Sequence, residues 1–274
     1  LSIAVTVVCI VLLYTAVGEE PKFTHSQAKM PAVKLLSNRN LLLMNISNFM
    51  QKMLMSAAFI VIPIAIVKYF GMDKKDLSGI YSVATVFGFI AMGIGGAIGE
   101  TKRITKQILV IGVSLFVVCY GLFALSLGHK PLFYAGVIIF FIGFNLHEPI
   151  LQSMASKFSK VSQKGAVLGI FNAFGYMGSF IGGIGGGTLL KFYGLSALSA
   201  VVTVLCVVWL IALKWLDNPN IFKNIYLPSN TDADLAEIEK QKGVVECYKN
   251  AQNLVVKYNS KLTNEAEIKQ ILGV

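Results

Sequence analysis

Two ionisable side chains, Lys52 and Glu148, stand inside long apolar runs of this 274-residue chain. Charge at bilayer depth is costly, so such residues pair, face a water-filled cavity or pass protons, and function is their default reading. Lys52 belongs to a set, Asn45, Asn48, Lys52 and Ser56, whose offsets of 0, 3, 7 and 11 put all four on one helical face. A polar stripe of this kind either hydrogen-bonds neighbouring helices or lines a cavity, and the lysine within it favours the cavity. Glu148 lies in FNLHEPILQS, where Asn145, Glu148 and Gln152 share a face at offsets 0, 3 and 7. Pro149 has no N–H, so the carbonyl of Asn145 loses its helical donor and is open to water, a side chain or a ligand. A glutamate held by a neighbouring helix for structural reasons is the competing reading. His147 points about 100° away from Glu148 on a helix, which weakens it as a participant. Asn172, Tyr176 and Ser179 form a third polar face, able to line the same cavity. The chemistry these patterns suit is proton exchange and polar-solute binding in a wet space between helices.

Long helices must position these groups. The chain is 55% hydrophobic and 14% charged, whereas a soluble domain is about a quarter charged, so the bilayer is the solvent for most of it. A crossing needs about 20 apolar residues. Seven candidates are present: Leu1 to Val17, Leu41 to Phe70, Ile80 to Ile98, Ile108 to Leu127, Leu132 to Ser156, Ala166 to Leu190 and Leu195 to Leu213. Barrel strands would alternate over about 10 residues, so unbroken runs of this length are helices. The sixth run holds eight glycines in 25 residues. Gly178, Gly182 and Gly186 are spaced by four, as are Gly183 and Gly187, which lets helices approach closely. GGIGGG is not a nucleotide loop, because no strand precedes it.

The net charge of +10 falls entirely in residues 1–217, with 17 Lys and Arg against 7 Asp and Glu; residues 218–274 hold 7 and 7. A basic excess confined to membrane loops sets orientation and argues against nucleic-acid binding. Basic counts in successive loops run 4, 2, 3, 1, 3, 1, which places the odd loops and the C-terminal segment in the cytoplasm. The start at Leu1, inside an apolar run, does not look like a signal peptide, and an upstream membrane portion is expected. Cys9, Cys119, Cys206 and Cys247 share no ligand spacing, so neither a metal nor another cofactor is expected.

After Pro219 the pattern becomes that of a small α+β module. A strand is expected over Lys223 to Leu227, then a helix from Asp232 to Lys242 capped by Thr231 and closed by Gly243. A hairpin of Val244 to Tyr248 with Leu254 to Tyr258 follows, then a helix capped by Thr263 and ending near Leu272. The order is βαββα, and the domains divide as 1–217 in the membrane and 218–274 in the cytosol.

Spans of this kind, the glycine-rich penultimate helix and buried polar stripes look like the second half of a major facilitator superfamily transporter. The loop GAIGETKRITKQ resembles that family's second-half loop motif, with Gly96, Glu100, Lys102 and Arg103 at its glycine, acidic and basic positions and Glu in place of Asp. FNLHEPILQSMASKFS, KGAVLGIFNAFGYMGSFIGG and the tail ending KYNSKLTNEAEIKQIL are similar to the YajR-like branch, whose members end in a ferredoxin-like cytosolic domain without metal-binding cysteines. The resemblance implies family helices six to twelve, with the N-terminal half missing from this sequence. It also implies a multi-pass protein of the inner (plasma) membrane, and proton-coupled export of a small molecule rather than enzymatic work. A membrane-embedded sensor or scaffold acting through its cytosolic domain is the alternative. Two expectations are geometric. Glu100, Lys102 and Arg103 form a charged latch, or the basic residues simply anchor the loop. Lys52, 11 residues from Leu41, and Glu148, 9 residues from Lys157, lie about 17 and 14 Å deep by helix rise, so they meet as one ionisable centre in which a proton arriving at Glu148 releases Lys52.

Overall fold

A computed structural model of the chain describes residues 2–16, 24–25, 35–73, 75–229 and 234–271. Two compact units divide it, residues 29–221 and residues 1–28 with 222–274.

The first unit is helical: α2 (Arg39–Phe70), α3 (Asp76–Thr101), α4 (Thr105–Leu125), α5 (Lys130–Phe158) and α6 (Lys164–Ala212). All five are long and apolar enough to cross a membrane. The Asn38 side chain caps α2 by accepting from the amides of Asn40 and Leu41 at 3.0 and 3.2 Å, and Gly71 ends it at φ 59°, a left-handed conformation suited to glycine. Pro63 and Pro149 lie inside α2 and α5.

The sixth and seventh expected runs fall in one 49-residue element, α6, interrupted at Gly194, where φ is 80° and ψ 179°. Gly178, Gly182 and Gly186 meet Phe49, Met53 and Ala57 in turn, and Gly194 meets Tyr69, so the first arm climbs α2. Trp209 then donates to the Ser47 hydroxyl at 3.0 Å, so the second arm descends it. The chain therefore reverses at Gly194, and α6 is two membrane-length arms. The φ of Gly194 is one that a side chain would strain.

Helices in a bilayer gain little from hydrophobic burial against one another and are held by close packing and interhelical hydrogen bonds. An added Cβ at Gly178 or Gly182 would fall inside the carbonyl oxygens of Phe49 and Met53, so the backbones of α2 and α6 touch. On the other side, Gly88, Gly95 and Gly99 of α3 admit Asn145, Leu146 and Ile150 of α5. Tyr120 Oη donates to Leu54 O at 3.2 Å and Ser196 Oγ to Ala124 O at 3.1 Å. Phe116, Phe123, Phe133 and Phe140 fill the space between α4 and α5.

Residues 216–220 are clasped at one end of this bundle. Asp217 accepts from Arg39 and from the Asn40 amide, both at 3.1 Å, and its own N–H donates to Asn40 Oδ1 at 3.0 Å. Asn220 Nδ2 donates to Arg103 O at 2.6 Å, and Lys106 Nζ to Leu216 O.

The second unit contains α1 (Ser2–Ala16), β1 (Thr24–His25), β2 (Phe222–Pro228), α7 (Leu235–Glu239), β3 (Val244–Lys249), β4 (Asn253–Asn259) and α8 (Glu265–Ile271). The antiparallel sheet runs β1-β3-β4-β2. Ile225, Leu227, Leu254, Val256, Tyr258, Cys247, Ile238 and Ile268 form its core. Asp234, not Thr231, caps α7, accepting from the Ala236 amide at 2.8 Å; Thr231 lies outside the described residues. Asn264, not Thr263, caps α8. It accepts from Glu267 N–H at 2.9 Å while Glu267 reaches back to its side chain, a reciprocal cap. The expected end near Leu272 also lies outside the described residues. β1 falls in a stretch read from sequence as loop. α1 is apolar but, at 15 residues, shorter than the five helices long enough to cross a membrane.

Candidate functional site

The Lys52 ammonium sits 3.0 Å from both carboxylate oxygens of Glu148, midway along α2 and α5. Two further contacts hold the pair. Gln51 Nε2 donates to Glu148 Oε2 at 3.0 Å and to Phe144 O at 3.3 Å. The Phe144 ring lies 5.4 Å from the ammonium, an orientation that attracts a cation to the ring face. The two depths read from helix rise therefore do meet.

The pair walls a cavity of about 270 Å³. α2 gives Asn48, Gln51, Lys52 and Met55 to its lining, α5 gives Glu148, Leu151 and Gln152, and the first arm of α6 gives Phe171, Asn172, Gly175, Tyr176 and Ser179. Asn48 Nδ2 donates to Phe171 O at 2.7 Å. A Cβ added to Gly175 would fall 2.6 Å from Asn48 Nδ2 and 3.4 Å from Lys52 Cγ, so the missing side chain gives both residues room.

Three expected cavity residues lie off this lining. Asn45 is buried and Ser56 half-buried in α2. Asn145 donates to Phe141 O at 2.9 Å and packs on Gly88 of α3. At 100° per residue, the cavity face of α2 is centred about 80° round from Asn45 and Ser56. Gln51 lies on that face, and sequence reasoning missed it because it sits outside the polar stripe. His147 is fully buried between α4 and α6. Its Nε2 lies 2.9 Å from Leu109 O, and the Phe116 and Trp209 rings flank it at 5.2 and 5.4 Å.

A Cβ added to Gly183 or Gly187 would meet Ile60 at 3.8 Å, an ordinary contact, so unlike Gly178, Gly182 and Gly186 they impose no close approach. In the loop motif, a Cβ added to Gly96 would meet Pro149 Cγ at 3.9 Å. Glu100 accepts from Ser153 Oγ at 2.7 Å and pairs with Lys157. These contacts join α3 to α5, and the base beside Glu100 is Lys157 rather than Lys102 or Arg103. Lys102 ends α3, and Arg103 adopts φ 57°, in which its carbonyl receives the Asn220 amide. Among the described residues, no group of three or more His, Cys, Asp or Glu is placed to hold a metal.

The model of the Major Facilitator Superfamily matches residues 1–181 and 106–244. The chain belongs to the major facilitator superfamily. An uncharacterized transporter of Buchnera aphidicola subsp. Baizongia pistaciae is 31% identical over 180 residues, 65% of this chain and 45% of its own length. The inner membrane transport protein YajR of Escherichia coli strain K12 is 26% identical over 246 residues, 87% of this chain and 54% of its own. The chain spans about half the length of the curated relatives it matches. Its fold also aligns with the crystal structure of the POT family transporter PepTSo, at a TM-score of 0.53 and 16% identity, over 68% of this chain and 37% of that one. These relatives are transporters, in line with the expectation of no enzymatic role, and the similarity to YajR agrees with the resemblance read from the sequence.

Proposed function

We propose that the chain is the second half of a secondary active transporter that moves a small molecule through the membrane in exchange for protons. In this reading α1 is family helix six and the two arms of α6 are helices eleven and twelve, giving seven spans, and an N-terminal half completes the pathway. Two such halves rock about a site near the midplane. The observation that carries the proposal is the Lys52–Glu148 pair, placed inside apolar helices yet bordering a polar cavity. A scaffold gains nothing from ionised groups there.

A proton reaching Glu148 removes the counter-ion of Lys52 and changes what the cavity can hold, which is the coupling step. Export, a setting in the inner membrane and a cytoplasmic C-terminal module follow from the family resemblance and the alternation of loop charge. The module reads as ferredoxin-like: the order β3-β4-β2, with a helix after β2 and another after β4, supports that topology.

The test is a pH-gradient assay in everted vesicles carrying the complete transporter. Substrate addition is expected to dissipate the gradient with native protein and not with Glu148→Gln. Unchanged substrate–proton exchange in that variant, with normal pH dependence, would sink the coupling role.

A further inference from the structure

Each partner of the Lys52–Glu148 pair has a second contact of its own: Gln51 donates to the carboxylate at 3.0 Å, and the Phe144 ring lies 5.4 Å from the ammonium. The side chains are 24% and 35% exposed, so both charged ends are open to a ligand in the cavity. Among the described residues that line the cavity these two alone are charged; Asn48, Gln51, Gln152, Asn172, Tyr176 and Ser179 are neutral donors and acceptors.

We infer that the cavity takes a small zwitterion, an ammonium carboxylate of amino-acid type, which inserts between the two side chains with its carboxylate on Lys52 and its ammonium on Glu148. Charge balance decides the class. A singly charged ligand that opened the pair would satisfy one partner and leave the other exposed in a partly apolar pocket, which is costly. A zwitterion replaces one ion pair with two and leaves no net charge. A neutral solute would leave the pair closed and make no use of the second contacts from Gln51 and Phe144. The volume of about 270 Å³ suits a ligand of amino-acid or short-peptide size. The inference rests on reading this cavity as a transport site, and it sets the sign of the linkage: a proton on Glu148 cancels the partner of the ligand's ammonium and weakens binding.

The test uses the purified full chain in detergent, titrated with the standard amino acids and dialanine by calorimetry. The tightest binder is then compared with its amide, its N-acetyl form and its N-acetyl amide, which carry positive, negative and no charge. The expected result is at least tenfold weaker binding of all three. Affinity for the zwitterion should also fall once the pH is low enough to protonate Glu148. Glu148→Gln should bind the zwitterion and its N-acetyl form alike, and Lys52→Gln the zwitterion and its amide alike, with both variants retaining the native helical circular dichroism. Absence of any binder, or a best ligand that tolerates blocking of either charge, overturns the inference. Zwitterion selectivity without pH dependence upholds it and removes the proton-coupling reading. pH-dependent preference for an anion or a neutral analogue does the reverse.

Discussion

Gln51 decides how the Glu148 carboxylate is oriented, and its neighbour Lys52 decides the charge balance of the cavity, although only the second is conspicuous in the sequence. A lysine in an apolar run announces itself; a glutamine one position away, off the polar stripe, does not. Depth could be read from helix rise because both helices start and stop at recognisable loops. The partner choice of Glu100 could not be read, because Lys157 lies 57 residues away on a helix whose rotation no local pattern reports. At the same scale, Cys247 carries a prediction. Burial, reinforced by the nearby Glu239 charge, pushes its thiol from 9.0 up to about 12. A raised thiol favours the protonated native form, so the stability it adds is full below about pH 9 and is lost as pH rises toward about 12. At pH 7.5, alkylation of Cys247 in the folded chain should be far slower than in urea, as mass spectrometry of the tail peptide would read; equal rates in the two conditions would contradict the buried placement.

At the scale of elements, the contact between α2 and the first arm of α6 separates glycines that the sequence presents as equivalent. Spacing by four describes both Gly178–Gly182–Gly186 and Gly183–Gly187, and only the first row meets backbone. Gly182→Ala must push the Met53 carbonyl aside and should destabilise by about 1–3 kcal/mol, as overpacking does. Gly183→Ala meets ordinary contact distances and should be neutral or stabilising by up to about 1 kcal/mol through helix propensity. Thermal unfolding in detergent compares them directly, and equal midpoints for the two variants would contradict the close approach. The hairpin at Gly194 was legible as two apolar runs of proper length with a short loop of one basic residue. The caps of α7 and α8 were legible only to within a few residues, because neighbouring Thr, Asn and Asp all have suitable oxygens and the choice depends on backbone geometry.

At the scale of the whole molecule, composition alone separates a membrane bundle from a small α+β module, and the change near Pro219 falls close to the division at residue 221. The two-residue strand β1 could not be foreseen, since Thr24 and His25 acquire strand geometry only by pairing with Tyr248 and Lys249, far away in the chain. Family membership, by contrast, rested on combinations of motifs spread along the sequence, and the comparison of residues 1–181 and 106–244 with the superfamily recovers it.

The clasp on residues 216–220 pins the exit from α6 to two other elements of its own bundle. Asp217 is bolted to Arg39 and Asn40 at the foot of α2, and Asn220 to the backbone of Arg103. The end of α6 is therefore tied to the base of the helix that carries Lys52 about 20 Å further up. Releasing the bolts with Asp217→Ala and Asn220→Ala should make the chain several-fold more susceptible to trypsin after Lys214 or Lys223, with cleavage elsewhere in the bundle unchanged. A digestion pattern identical to that of the native chain would mean that these contacts do not hold residues 216–220 in place.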